Sequence, residues 1–331
     1  TGEIAWSYEV PLNDLQSSGG LKGIEVTADL VGHDGIQDVV GYRGDTVFIF
    51  SGKDGTPSSF PVGQPVASLD VIRNWAGGNA IAVGTASNLM AFDGAGTPLW
   101  TIGEEWVEDE TVKFMVLDDL NSDNVSDLAV LSSAKVVLLE STDNTTAYEL
   151  HMTFNPETDS LIEYVELVPD ANGDGVRELA YIQRKPGKQD QGQYTPPGCP
   201  LLVKRSPVGG EQLLGVALPA RYPSVDLTCG DFNGDGCADS LVCYSSSDTC
   251  SGVAPDRIGP GQDYSGWVLR IVSGRDGATI CSRTANLQNY GGSGWNINPP
   301  ATNIGDVTGD GRDDLAWTVV SGSQEYSGYC R

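Results

Sequence analysis

Apolar residues along this chain gather in short runs, and each run stops at a cluster of Gly, Asp, Ser or Asn. Val47-Phe48-Ile49-Phe50 runs into Ser51-Gly52-Lys53-Asp54-Gly55, and Leu269-Arg270-Ile271-Val272 into Ser273-Gly274-Arg275-Asp276-Gly277. Leu89-Met90-Ala91-Phe92 followed by Asp93-Gly94-Ala95-Gly96 is a variant of the same unit. No long segment shows the 3.6-residue period of an amphipathic helix. Short β-rich runs separated by turn residues predict an all-β chain.

A second motif interleaves with these runs. Its fullest copies are Asp170-Ala-Asn172-Gly-Asp174-Gly175-Val-Arg-Glu178, Asp231-Phe-Asn233-Gly-Asp235-Gly236-Cys-Ala-Asp239 and Asp306-Val-Thr308-Gly-Asp310-Gly311-Arg-Asp-Asp314. Asp119-Leu-Asn121-Ser-Asp123-Asn124-Val-Ser-Asp127 is a fourth. Asp29-Leu-Val-Gly-His33-Asp34-Gly35-Ile-Gln-Asp38 is a degenerate fifth with one extra residue, and Asn74 to Ala80 keeps the flanking strands without the carboxylates. Each unit then reads strand, acidic loop, strand, connection, strand, tight turn, strand. Four antiparallel strands per repeat, at a period of roughly forty residues or more, describe a propeller blade.

The expectation is a single β-propeller over residues 1–331 with six blades, seven being the alternative count. The blades fall near 21–63, 64–103, 111–155, 160–219, 222–286 and 301–331 plus 1–10. Gly2 to Trp6 has the same Gly-to-Trp spacing as Gly96 to Trp100, so it reads as a fourth strand that joins the C-terminal blade and closes the ring. The last blade lacks a clean third strand unless Glu325 to Arg331 supplies it.

The acidic nonapeptide has the chemistry of a cation loop. Oxygen donors recur at loop positions 1, 3, 5 and 9 with a main-chain carbonyl at 7, and Gly at 6 allows the turn that brings them together. The candidate ligands are Asp119, Asn121, Asp123, Val125 and Asp127; Asp170, Asn172, Asp174, Val176 and Glu178; Asp231, Asn233, Asp235, Cys237 and Asp239; and Asp306, Thr308, Asp310, Arg312 and Asp314. Calcium suits six to eight hard oxygens better than magnesium does. An EF-hand needs Glu at position 12 and flanking helices. Val130, Tyr181, Val242 and Trp317 stand there, inside β-like runs. A plain Asx-rich turn would use the same residues, but four copies in register with the blade period favour metal. The cofactor expectation is about four calcium sites, with a fifth considered near Asp29 to Asp38.

These loops resemble the FG-GAP repeats of integrin α-subunit propellers and their microbial relatives, and the resemblance spans nearly the whole chain. The Phe-Gly and Gly-Ala-Pro signatures that name the family are weak or missing here. The Asp-Gly-x-x-x-Trp endings also resemble pyrroloquinoline-quinone-type propeller repeats. The resemblance implies a calcium-braced propeller that presents a ligand surface.

In a blade, the 1–2 and 3–4 connections share one face, so the acidic loops lie with the Ser-Gly turns. On the other face the 2–3 connections are short at Arg43-Gly44-Asp45, Ser87-Asn88 and Ser133-Ala134, then swell at Arg184–Pro200, Ser245–Gly266 and Ser321–Cys330, joined by the 4–1 connection Asn286–Pro300. These insertions carry Tyr194, Tyr264, Tyr290, Trp295, Tyr326 and Tyr329, candidates for binding a protein or carbohydrate ligand. Of two sequons, Asn144 is the better glycosylation candidate, because Asn124 sits inside an acidic loop.

A formal net charge of −26 argues against nucleic acid and against anionic membrane surfaces. No run reaches the ~20 apolar residues of a membrane span, so membrane association would come only through segments outside this chain. Seven cysteines with two histidines (His33, His151) and no Cys-x-x-Cys disfavour zinc and favour disulfides in an oxidising compartment. Cys229–Cys237 and Cys243–Cys250 are the expected pairs, though spacing does not fix connectivity. The chain therefore reads as a secreted or cell-surface binding or adhesion module. The alternatives are a secreted polysaccharide lyase or glycoside hydrolase on a propeller scaffold, and a quinoprotein-like dehydrogenase. Neither His33 nor His151 looks placed for catalysis, and no nucleophile elbow is present.

Overall fold

A computed structural model describes residues 21–26, 29–75, 78–102, 113–132, 135–141, 148–155, 160–190, 193–195, 197–221, 223–245, 250, 267–285, 301–321 and 324–330. The chain divides into two compact units, 1–155 and 156–331.

The first unit holds three four-stranded antiparallel sheets in simple up-and-down order. The first comprises β1 (Lys22–Val26), β2 (Val39–Arg43), β3 (Thr46–Phe50) and β4 (Pro57–Pro61). The second comprises β5 (Ser68–Arg73), β6 (Asn79–Gly84), β7 (Leu89–Phe92) and β8 (Pro98–Ile102). The third comprises β9 (Lys113–Val116), β10 (Leu128–Leu131), β11 (Val136–Glu140) and β12 (Glu149–Phe154). Within this unit the first strands β1, β5 and β9 lie side by side.

The second unit repeats the plan. Its fourth sheet is β13 (Leu161–Val168), β14 (Glu178–Arg184), β17 (Leu201–Arg205) and β18 (Gln212–Ala217), with a hairpin of β15 (Lys188–Asp190) and β16 (Gln193–Thr195) inserted between β14 and β17. The fifth is β19 (Ser224–Gly230), β20 (Asp239–Ser245), β21 (Trp267–Val272) and β22 (Thr279–Ala285). The sixth has three described strands, β23 (Ala301–Asn303), β24 (Leu315–Ser321) and β25 (Gln324–Cys330). Strands β13, β19 and β23 again sit next to one another. The fold class is therefore all-β, built from four-stranded antiparallel propeller blades, as the repeat implies.

The core lies between neighbouring sheets, which explains the near-continuous apolar strands. Ala80 and Ala82 of β6 pack toward the third sheet with Phe114, Leu128 and Leu139. Ile81 and Val83 turn the other way, onto Val40, Val47 and Ile49 of the first. In the second unit Val242 and Tyr244 of β20 join Ile182 and Leu202, while Leu241 joins Ile271 and Leu315. A strand covered on both faces needs apolar side chains at successive positions, because neither face meets water.

Two sequence expectations are corrected. Ser321 to Cys330 is not a swollen connection: Ser321 pairs with Gln324, and β25 runs back along β24. β25 is thus the third strand that the last blade needed, and Tyr326 and Tyr329 belong to it. The disulfide joins Cys199 to Cys250, not Cys243 to Cys250, and Cys229 and Cys237 are both free thiols. Cys229, Cys237 and Cys243 are buried in the fifth sheet and its loop, where they serve as small apolar side chains. The expected closing strand Gly2 to Trp6 lies outside the described residues.

Candidate metal centres

Every acidic nonapeptide connects the first and second strands of its sheet. All share one hydrogen-bond scheme. One oxygen of the position-1 carboxylate accepts the position-6 N–H: Asp119 from Asn124 at 2.7 Å, Asp170 from Gly175 at 2.8 Å, Asp231 from Gly236 at 2.9 Å and Asp306 from Gly311 at 2.7 Å. The position-5 carboxylate accepts the N–H of position 7: Asp123 from Val125, Asp174 from Val176, Asp235 from Cys237 and Asp310 from Arg312. The amide oxygens of Asn121, Asn172 and Asn233 accept the N–H of position 5. Thr308 instead donates its hydroxyl to Asp306. Position 6 is left-handed in each loop, at φ 67° for Asn124 and 82–88° for Gly175, Gly236 and Gly311, so glycine or asparagine is the residue it tolerates.

The first loop has the same construction despite its extra residue. Asp29 accepts the Gly35 N–H at 2.7 Å and Asp34 the Ile36 N–H at 3.0 Å. Gly32 is left-handed, as position 4 is in the other loops, and His33 beside it is left-handed too, at φ 82° and 46°. In the other four loops the second oxygen of position 1 also accepts an N–H, as Asp231 does from Gly234 at 2.7 Å and Asp235 at 3.1 Å. In the first loop that oxygen, Asp29 Oδ1, is buried with no hydrogen-bond partner.

The ninth position departs from a simple ligand role. Asp38, Asp127, Glu178, Asp239 and Asp314 are all buried. Each accepts an N–H next to the loop's first residue: Leu30, Leu120, Ala171, Phe232 and Val307 respectively. Three of them reach further, taking the N–H of the 3–4 turn from Gly52 at 2.9 Å, Ser141 at 2.8 Å and Gly274 at 2.8 Å. The sequence singled out the Ser-Gly turns as repeat marks, but nothing in their spacing revealed this partnership.

Electrostatics separates the positions. Backbone N–H groups hold the Asp170 and Asp306 carboxyls below the usual carboxylate range. Burial, with added repulsion from Asp123 and Asp119, pushes Asp127 up to about 6; burial with Asp235 and Asp231 does the same to Asp239. Glu178 is also raised, by burial and then by Asp170. A loop carrying several negative charges around a desolvated carboxylate is one that a cation would stabilise. Each carboxylate oxygen that accepts one N–H keeps a further lone pair. The donor set of hard oxygens therefore fits calcium, and the unpartnered Asp29 oxygen fits a cation in the first loop. Among the described residues, no three His, Cys, Asp or Glu side chains converge as a ready-made metal cluster.

Neighbouring loops are stitched together within each unit. Asp231 donates its N–H to Asp313 at 2.9 Å, and Asp313 returns its own N–H to the Asp231 carbonyl at 3.0 Å. The loop without carboxylates bridges two others: the Asn79 side chain donates to the Asp29 carbonyl at 3.3 Å and the Asn74 side chain to the Asn124 carbonyl at 2.9 Å. Trp75 fills that loop, stacked on Tyr148 with ring centroids 5.4 Å apart and edge-on to Trp100.

On the opposite face, the Cys199–Cys250 bridge ties the insertion after β14 to the one after β20. Tyr194 lies on β16 in the first of these. Tyr264, Tyr290, Trp295 and Asn144 are outside the described residues. Tyr164, which the sequence did not single out, is 55% exposed on β13 at φ 52°, where the register with β14 shifts. His151 sits on β12, its Nδ1 2.9 Å from Glu140. No helix in the described residues is long and apolar enough to cross a membrane.

No protein-family profile matches the chain, and no curated protein sequence does. Solved structures similar to it include the Neurospora crassa Pan2 WD40 domain, at 9% identity and TM-score 0.42, covering 81% of this chain and 67% of that one. The WD40 domain of SCAP from fission yeast matches at 11% identity and TM-score 0.38, covering 94% and 86%. Bacillus licheniformis rhamnogalacturonan lyase PL11 matches at 14% identity and TM-score 0.41, covering 93% and 71%. With every score below 0.5, the fold assignment rests on the sheets themselves.

Proposed function

We propose that this chain is a calcium-braced β-propeller of the FG-GAP kind that works outside the cytoplasm as a binding module for a protein or carbohydrate ligand. One observation carries the metal part: the acidic loops repeat a single hydrogen-bond scheme around a buried ninth-position carboxylate, and in two of them, at Asp127 and Asp239, burial and like charge push that carboxylate toward protonation. Calcium relieves that repulsion and stabilises the native state by mass action. The disulfide between two long insertions supports an oxidising compartment. It also supports a ligand face on the tied insertions, with Tyr194, Tyr264, Tyr290 and Trp295 as its candidate residues. Asn144 is the proposed glycan site.

Thermal unfolding tests the metal reading: EDTA should lower the midpoint and excess calcium restore it, and an unchanged midpoint overturns it. A glycan and protein array tests the binding role. Turnover of a polysaccharide to an unsaturated product would replace that role with a lyase.

A further inference from the structure

Lys204 occupies a position that the repeat elsewhere fills with apolar side chains. It lies on the third strand of its sheet, two residues before Ser206. Ile49, Leu139 and Ile271 stand two residues before Ser51, Ser141 and Ser273 in the third strands of their own sheets, and all three are buried. Lys204 is buried just as deeply, at 1% exposure. Its Nζ donates to the Ala238 carbonyl at 2.7 Å, inside the acidic loop of the fifth sheet. A β-carbon on Gly274 would lie 2.5 Å from Nζ and 1.9 Å from the Ala238 oxygen, so the ammonium is wedged between the acidic loop and the 3–4 turn. Burial pulls its pKa below the usual lysine value, and the charges of Asp239 and Asp235 in that loop, with Glu178 from the loop of its own sheet, oppose that fall.

An ammonium withdrawn from water is costly unless negative groups compensate it. Here the compensation comes from the same carboxylates that are read as calcium ligands. We propose that Lys204 is the resident cation of loop 231–239 and makes it the weakest divalent-cation site among the four full loops. Without calcium, the ammonium supplies part of the positive charge the loop needs. With calcium, it repels the incoming ion in a medium of low dielectric. Loops 119–127, 170–178 and 306–314 then fill first, and loop 231–239 only at higher calcium. This inference rests on the calcium reading of the loops.

Calorimetric titration of the full chain with calcium tests it on the wild type, Lys204→Gln and Lys204→Arg. Glutamine keeps a donor for the Ala238 carbonyl and removes the charge. The wild type should show a tight class of sites and one weaker site. In K204Q that weaker site should tighten by about tenfold or more, while K204R leaves it weak. In EDTA, K204Q should melt below the wild type, or fold only once calcium is added. A calcium isotherm in K204Q identical to that of a calcium-binding wild type overturns the inference and leaves the loop reading intact. A wild type that binds no calcium overturns both. If K204Q does not fold, Lys204→Met, which matches the apolar residues of the other sheets, is titrated in the same way. Failure of both variants to fold even in calcium also overturns the inference.

Discussion

The buried carboxylate of Asp239 accepts the N–H of Gly274 at 2.8 Å, across a sequence separation of 35 residues. Its other oxygen takes the Phe232 N–H, so one side chain fastens the acidic loop to the turn between the third and fourth strands of its sheet. Asp127 makes the same link to Ser141, and Asp38 to Gly52.

The ninth and fifth loop positions should therefore respond differently to substitution. Asp127→Ala leaves two buried N–H groups without acceptors and should cost about 3 kcal/mol, with or without calcium. Asp310→Ala, in a loop whose fifth position is exposed, should cost most of its stability only when calcium is present. Urea unfolding of both variants in EDTA and in calcium reads the difference.

The loop that lost its carboxylates is held by aromatic packing. Trp75 is 4% exposed and sits against Tyr148 and Trp100. Trp75→Ala should destabilise by about 3–5 kcal/mol, the range for emptying a packed aromatic site. Its loss should be the same in EDTA and in calcium, measured by denaturant midpoint.

The disulfide closes a sequence separation of 51 residues. A loop of that size corresponds to about 4 kcal/mol in the chain-entropy account, so Cys199→Ala, or reduction with dithiothreitol, should lower the unfolding midpoint clearly. Burial pushes the Cys229 thiol up to about 12 and the Cys243 thiol up to about 11. With almost no thiolate at neutral pH, both should resist iodoacetamide in the native protein and label on unfolding, which peptide mass mapping would show.

The first strands carry a pH-dependent term. Glu166 on β13 has its carboxyl raised, by burial first and then by Asp226 on β19. The folded state thus holds this proton more tightly than the unfolded state, and the contribution is lost as pH rises through the raised value. Glu166→Gln should flatten the fall in melting temperature as pH rises above the usual carboxylate range. An unchanged slope would show that Glu166 does not contribute.

The strand pattern, the repeat and the acidic loops were legible in the amino-acid order because each is local. A sheet unit is made of consecutive strands, and a nonapeptide that closes hydrogen bonds between positions 1 and 6 and between 5 and 7 encodes them in its own spacing. The third strand of the last sheet was half-hidden because its Gly- and Tyr-rich residues read like one more of the long aromatic insertions. The tertiary structure alone decided what no spacing carries: that Cys199 meets Cys250 across 51 residues, that three of the ninth-position carboxylates fasten a second turn, and that Lys204 delivers its ammonium to a loop 34 residues away. Those partners are chosen by how sheets stack and which groups become desolvated together, and the sequence lists such groups without saying which of them meet.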